Sequence, residues 1–202
     1  MTKKLYVPDH MAVKPKDMEK IPRSIKTAFG KDKEEIPQWD EPTLETMAVG
    51  CLLDYDLKTW EAIAQATYDY DGFKSREWTL RSGDMVRFLE GYEEHGQMHW
   101  TLTREVDWSG LDEKIGVQIA EEGDPPEDVR YENTDYVAVE STPGLYYEGN
   151  RENGREFVSW SYEGADGAVL FLSQWGERDF SAFVGHVVEQ YQFSNILPAA
   201  KE

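Results

Sequence analysis

Glu93, Glu94, His95 and His99 place two carboxylates and two imidazoles close together in the chain. These are ligand types that zinc and other divalent metals take, and the same groups serve as general acids and bases. Their spacing argues for something plainer. A helical zinc motif needs both histidines on one helical face, whereas His95-Gly96 is a turn signal and His99 opens a strand. The cluster reads as a solvated hairpin tip, and no metal or cofactor is expected.

Other reactive side chains are equally unassembled. Cys51 is the single cysteine and lies in an apolar run, so an internal disulfide is excluded and a small core residue is the natural reading. No serine sits in a Gly-x-Ser-x-Gly elbow, and no glycine-rich phosphate loop is present. Among 40 Asp and Glu residues some carboxylate pairs will converge by chance, so glycosidase-type chemistry cannot be read from their number. No catalytic residue is nominated, and the expectation leans towards a protein without enzymatic activity.

The elements that would position any site are strands. Seven Trp, eleven Tyr and eight Phe in 202 residues favour pleated, half-buried surfaces. Trp60, Ala62, Ala64, Ala66, Tyr68 and Tyr70 recur at period two, which predicts one strand face and a turn at Asp71-Gly72. Met98, Trp100, Leu102 and Val106 alternate with His99, Thr101, Thr103 and Glu105 in a half-buried antiparallel pattern, with Arg104 interrupting the apolar side. Ser82-Gly83-Asp84 and His95-Gly96 bracket a further strand over 85–92. Later runs at 136–140, 145–148, 157–162, 168–175 and 181–188 are short and apolar, with Asn153-Gly154 and Asp166-Gly167 as hairpin signals.

A faint internal echo joins the two sets. Tyr70-Asp71-Gly72, 86–89 and Val106 are answered by Tyr162-Glu163-Gly164, 169–172 and Val188. The predicted class is mainly β: two related antiparallel β meanders packed as a sandwich or paired barrels, with a short N-terminal helix or arm. The expected organisation is a basic arm over 1–40, a first β unit over 41–111, an acidic linker over 112–135 and a second β unit over 136–202. Within the linker, Glu121 to Asp128 holds five carboxylates around Pro125-Pro126 and reads as a solvated loop.

Charge divides the chain sharply. Residues 1–37 hold nine Lys/Arg against six Asp/Glu, and the remainder twelve against thirty-four, so a head near +3 precedes a body near −22. So acidic a body argues against nucleic-acid binding and favours basic or cationic partners. In the head, Ile21, Ile25, Ala28 and Phe29 recur at helical spacing beside Lys20, Arg23 and Lys26. Lys20, Arg23, Ile25, Lys26 and Phe29 are therefore the candidate partner-binding residues, with a protein partner preferred to a bilayer because the apolar face is small. No run approaches a membrane span and no apolar segment follows the first lysines, so a cytoplasmic bacterial protein is expected.

Val49-Gly50-Cys51-Leu52-Leu53-Asp54-Tyr55, Trp60-Glu61, Glu77-Trp78-Thr79-Leu80, Tyr162-Glu163-Gly164, Phe171-Leu172-Ser173-Gln174-Trp175-Gly176 and Phe183-Val184-Gly185-His186-Val187-Val188 carry a resemblance across roughly residues 47–198. The pattern resembles a bacterial family of unknown function, often encoded beside phage-shock-protein-A-like and spermidine-synthase-like genes. Family members often have Glu where this chain has Gln174, so no carboxylate role carries over there. The resemblance implies a β-rich cytoplasmic accessory protein and no reaction.

Two functional readings follow. The first is a non-catalytic adaptor in a membrane-stress-related assembly, held through the arm or the acidic surface. The second is a binder, or modifying enzyme, for small cationic ligands such as polyamines, drawn by the acidic body through long-range attraction; apart from it, the alternating Trp and Tyr residues are weighed as the mouth of a ligand-binding barrel, against the commoner reading that they are core.

Overall fold

In the computed structural model, residues 41–199 are described. The strands are β1 (Leu52–Tyr55), β2 (Lys58–Tyr70), β3 (Phe73–Ser82), β4 (Met85–Glu94), β5 (Gln97–Val106), β6 (Asp128–Tyr131), β7 (Thr134–Glu148), β8 (Arg155–Gly164), β9 (Ala168–Gly176), β10 (Asp179–Val188) and β11 (Ser194–Leu197). Among the described residues one α-helix, α1 (Glu113–Glu122), lies between β5 and β6. Tight turns follow from residues that accept left-handed backbone: Asp71-Gly72 and His95-Gly96 both have positive φ at both positions. That geometry matches the twist of the flanking strands and closes the β2–β3 and β4–β5 hairpins.

All pairings are antiparallel, in one sheet of order β11-β1-β2-β3-β4-β5-β10-β9-β8-β7-β6. A further pairing of β2 with β7, Ala66↔Glu148 to Asp69↔Leu145, closes β2-β3-β4-β5-β10-β9-β8-β7 into an eight-stranded ring. The mainly β class read from the sequence is what the molecule shows. At the β5–β10 seam the backbones come so close that only glycine fits. A Cβ on Gly185 would lie 2.0 Å from the Leu102 carbonyl oxygen.

The same order of strands occurs twice: a short strand, a long strand, three strands of nine or ten residues, then a 3-10 turn, with one further 3-10 turn between β8 and β9 in the second copy. The long strands even share a defect. The β2–β3 register slips between Ala62 and Ala64, and the β7–β8 register between Ala138 and Glu140. A bulge of this kind switches alternate side chains from one sheet face to the other. Trp60 and Ala62 therefore join one buried apolar cluster, while Ala64, Ala66, Tyr68 and Tyr70 share the face of Thr79, Glu77, Ser75 and Phe73. The uninterrupted face expected from Trp60 to Tyr70 is thus split in two.

Two apolar cores result, with corresponding residues. Trp60, Trp78, Leu80 and Leu102 pack with Leu44, Met47, Cys51 and Leu53 in one. Tyr136, Trp160, Tyr162 and Val184 pack with Leu111, Ile115, Ile119 and Val129 in the other. Each core is tied to its covering segment by an indole. Trp78 Nε1 donates to the Met47 carbonyl at 3.0 Å, and Trp160 Nε1 donates to Asp124 Oδ1 at 2.9 Å.

The echo noted in sequence is partly real. Residues 86–89 and 169–172 occupy equivalent places on β4 and β9, and Val106 and Val188 end β5 and β10. Tyr70-Asp71-Gly72, however, is the β2–β3 turn, whereas Tyr162-Glu163-Gly164 ends β8, so that part of the match is coincidental. In the expected loop from Glu121 to Asp128, residues 123–127 form neither helix nor strand, but its first two residues end a helix and Asp128 opens a strand. Asp112 caps α1 by accepting from the Lys114 amide, Gly123 ends it with φ 89°, and Ile115 and Ile119 are buried one turn apart. The runs 136–140 and 145–148 belong to one strand, β7; Pro143 sits where β7 pairs with β8 alone, so no second neighbour is denied a donor.

Candidate functional site

The faces of the ring strands that turn away from the two apolar cores meet around a cavity of about 490 Å³. All eight ring strands contribute to its wall: Tyr70 from β2, Phe73 from β3, Glu90 and Tyr92 from β4, Thr101 from β5, Glu140 and Thr142 from β7, Ser159 and Ser161 from β8, Phe171 from β9 and Val187 from β10. The cavity is therefore the lumen of the ring. Its size lies within the range of small-molecule sites.

The polar half of each strand pattern, which would ordinarily face water, faces this lumen instead. Bulges in β2 and β7 make that possible, because they let a strand feed an apolar core with one stretch and the lumen with the next. Val139, Val187 and Phe73 rim the mouth and are 59%, 53% and 44% exposed. Below the acidic residues, Phe88 and Phe183 meet edge to face at 5.1 Å.

The chemistry concentrates on two glutamates. Glu77 and Glu90 are cross-strand partners in the β3–β4 ladder, with Glu77 buried. Tyr68 Oη donates to Glu77 Oε2 at 3.2 Å, and Ser75 Oγ donates to the Glu90 carboxyl. Burial, with the neighbouring Glu90 carboxylate second, pushes Glu77 up to about 8; burial likewise raises Glu90. A carboxyl removed from water and set beside another favours its neutral form.

More acid surrounds the pair. Glu90 lines the lumen together with Glu94, Glu140 and Glu163, Glu77 sits beside Glu90 without being among the lining residues, and among the described residues no Lys or Arg lines it. Burial and then Glu94, Glu90, Glu140 and Glu163 raise Tyr92, while burial followed by Glu90, Glu77 and Glu140 raises Tyr70 far above the ordinary phenol range. The negative potential thus converges on the aromatic wall. Phe73 packs on Tyr92 at 5.4 Å, and Tyr70 on Phe157 at 5.6 Å, which leaves flat rings beside carboxylates.

A model for a domain of unknown function, DUF4178, matches residues 48–190, which cover all eight ring strands and every residue lining the cavity. The chain belongs to the DUF4178 family. An uncharacterized protein of Aquifex aeolicus (strain VF5) is 29% identical over 176 residues, 86% of this chain and 96% of the relative. No solved structure matches the chain. In this DUF4178 chain, then, the lumen is the feature from which function must be argued.

Sequence-nominated residues fall elsewhere or outside the view. Lys20, Arg23, Ile25, Lys26 and Phe29 lie outside the described residues. Glu93, Glu94, His95 and His99 belong to the β4–β5 hairpin, where His99 Nε2 stands 4.0 Å from Glu94 and its ring stacks on Tyr92 at 5.1 Å. Among the described residues no three His, Cys, Asp or Glu side chains are grouped to hold a metal. Cys51 is buried, with its sulfur accepting from the Ala48 amide at 3.3 Å. Glu77 and Glu90 were not singled out from sequence. The signal was there, since a glutamate on β3 and one on β4 each occupy the polar side of a strand pattern, but only ring closure turns that side inward.

Proposed function

We propose that this protein binds a small organic cation, an amine of polyamine type, in the ring lumen. The observation that supports the reading most is an aromatic-walled cavity, open at one mouth, lined by carboxylates and, among the described residues, by no Lys or Arg. An ammonium group gains from both: charge-assisted hydrogen bonds to carboxylates and attraction to the faces of Tyr and Phe rings. The acidic body, near −22, would raise the local concentration of such ligands and speed their capture.

The test is calorimetry of the full chain with spermidine and with 1,4-diaminobutane at physiological salt. Saturable binding that survives that salt is expected, because contacts inside the lumen are screened far less than surface attraction. Glu90→Gln is expected to weaken it at least about tenfold, as a lost charge-assisted hydrogen bond would. Heat that vanishes with salt, or is unchanged in Glu90→Gln, counts against the reading.

The adaptor reading rests on the opposed charges of head and body and on the resemblance to a family encoded near membrane-stress genes. We hold it as the second proposal, with the basic arm as the contact. A pull-down that recovers the same envelope proteins with and without residues 1–37 would remove the arm from it.

A further inference from the structure

Resting on the lumen as a cation site, we infer that Glu77 and Glu90 together hold one proton in the empty protein and release it when a cation enters, so that ligand binding and proton release are a single event. The geometry is a cross-strand carboxyl pair at adjoining positions of β3 and β4, each member with its own hydroxyl donor, Tyr68 for Glu77 and Ser75 for Glu90. Each hydroxyl supplies one proton to a carboxyl that has further lone pairs to satisfy, and an acidic proton kept within the pair serves both partners.

Among the described residues no cationic side chain lines the cavity to offset the charge. The titratable groups around the pair are Tyr68 and Tyr70 from β2, Tyr92 and Glu94 from β4, Glu140 and Tyr146 from β7, Glu163 from β8, and His99 from β5, which stacks on Tyr92. The phenols are all shifted upward and stay neutral, Glu140 adds negative charge, and among the described residues no Lys or Arg lines the cavity. Two ionised carboxylates facing each other in such a space repel, so one stays protonated until a positive charge arrives.

An ammonium group placed in the lumen against Glu90, whose cross-strand partner is Glu77, reverses the balance. The second carboxyl ionises, its proton leaves through the mouth to solvent, and the cation takes the proton's place. One positive charge is exchanged for another, with no bond to carbon made or broken. Consequently the lumen selects cations that stay charged near neutral pH, because only these gain from the ionised pair.

The experiment uses the full-length protein in weakly buffered solution at pH 7. The probe is 1,4-diaminobutane, whose two amines resemble lysine side chains and remain protonated there. Three readings are taken: heat of binding, proton release by pH electrode, and the infrared carbonyl band of a protonated carboxylic acid. Wild type is expected to release close to one proton for each ligand bound and to lose a carboxylic acid band as it does so. Glu77→Gln, which mimics the neutral acid in shape, is expected to lack that band, to bind the diamine, and to release none.

Heat without proton release overturns this inference and leaves the lumen reading standing. Absence of heat with either amine overturns both. Release that persists undiminished in Glu77→Gln assigns the proton elsewhere and also overturns it. Should Glu77→Gln fail to fold, the band in wild-type protein and its loss on adding diamine still decide the matter.

Discussion

At the scale of single residues, Glu77 is the group most out of place by ordinary rules, a nearly buried carboxyl with a tyrosine and another carboxyl for company. Its upward shift has a defined consequence for stability. The folded state binds a proton that the unfolded chain, with an ordinary carboxyl of 4.5, gives up. Glu77 therefore favours folding fully below that ordinary value, and this contribution declines as pH climbs to about 8. Denaturant unfolding of wild type is expected to lose a few kcal/mol between pH 5 and pH 8 from this group. Glu77→Gln should flatten that slope, and an equal slope in both proteins would show that Glu77 is not the cause.

At the scale of elements, α1 shows how a short helix can be held by two side chains. Ile115 and Ile119 enter the core formed by Tyr136, Trp160, Leu170 and Val184, while Val117 on the opposite side is exposed. Ile115→Ala and Ile119→Ala are each expected to cost about 2–5 kcal/mol, measured as a lower denaturant midpoint. Val117→Ala should cost less than about 0.5 kcal/mol, as surface changes do. The helix was legible in principle, since Leu111, Ile115 and Ile119 repeat every four residues, but the carboxylates and the double proline that follow masked the stripe. Strands were far easier to read. The patterns over 85–92 and 98–106 became β4 and β5, because Trp100, Leu102 and Val106 alternate with small polar residues that need an opposite face. What period two could not disclose was a bulge: the residues of β2 keep perfect alternation in sequence while changing sides at Ala62–Ala64.

At the scale of the whole molecule, the arrangement inverts the usual economy of a small barrel. Apolar side chains fill two cores set against the outer faces of the ring, and the ring itself encloses Ser, Thr, Tyr and Glu together with Phe and Val. Nothing local encodes this, because it depends on β2 meeting β7 and β5 meeting β10, contacts between residues distant in sequence. Keeping a polar lumen costs stability that an apolar filling would supply, which is what is expected of a region retained for binding. The most direct test is to map the ligand by NMR, adding 1,4-diaminobutane at physiological salt to protein labelled on its valine methyl groups and tyrosine rings. The account predicts saturable shifts at Tyr70, Tyr92, Val139 and Val187, with Val117 on the outer face of α1 unmoved. Shifts spread over exposed acidic surface, or none within the ring, would contradict it.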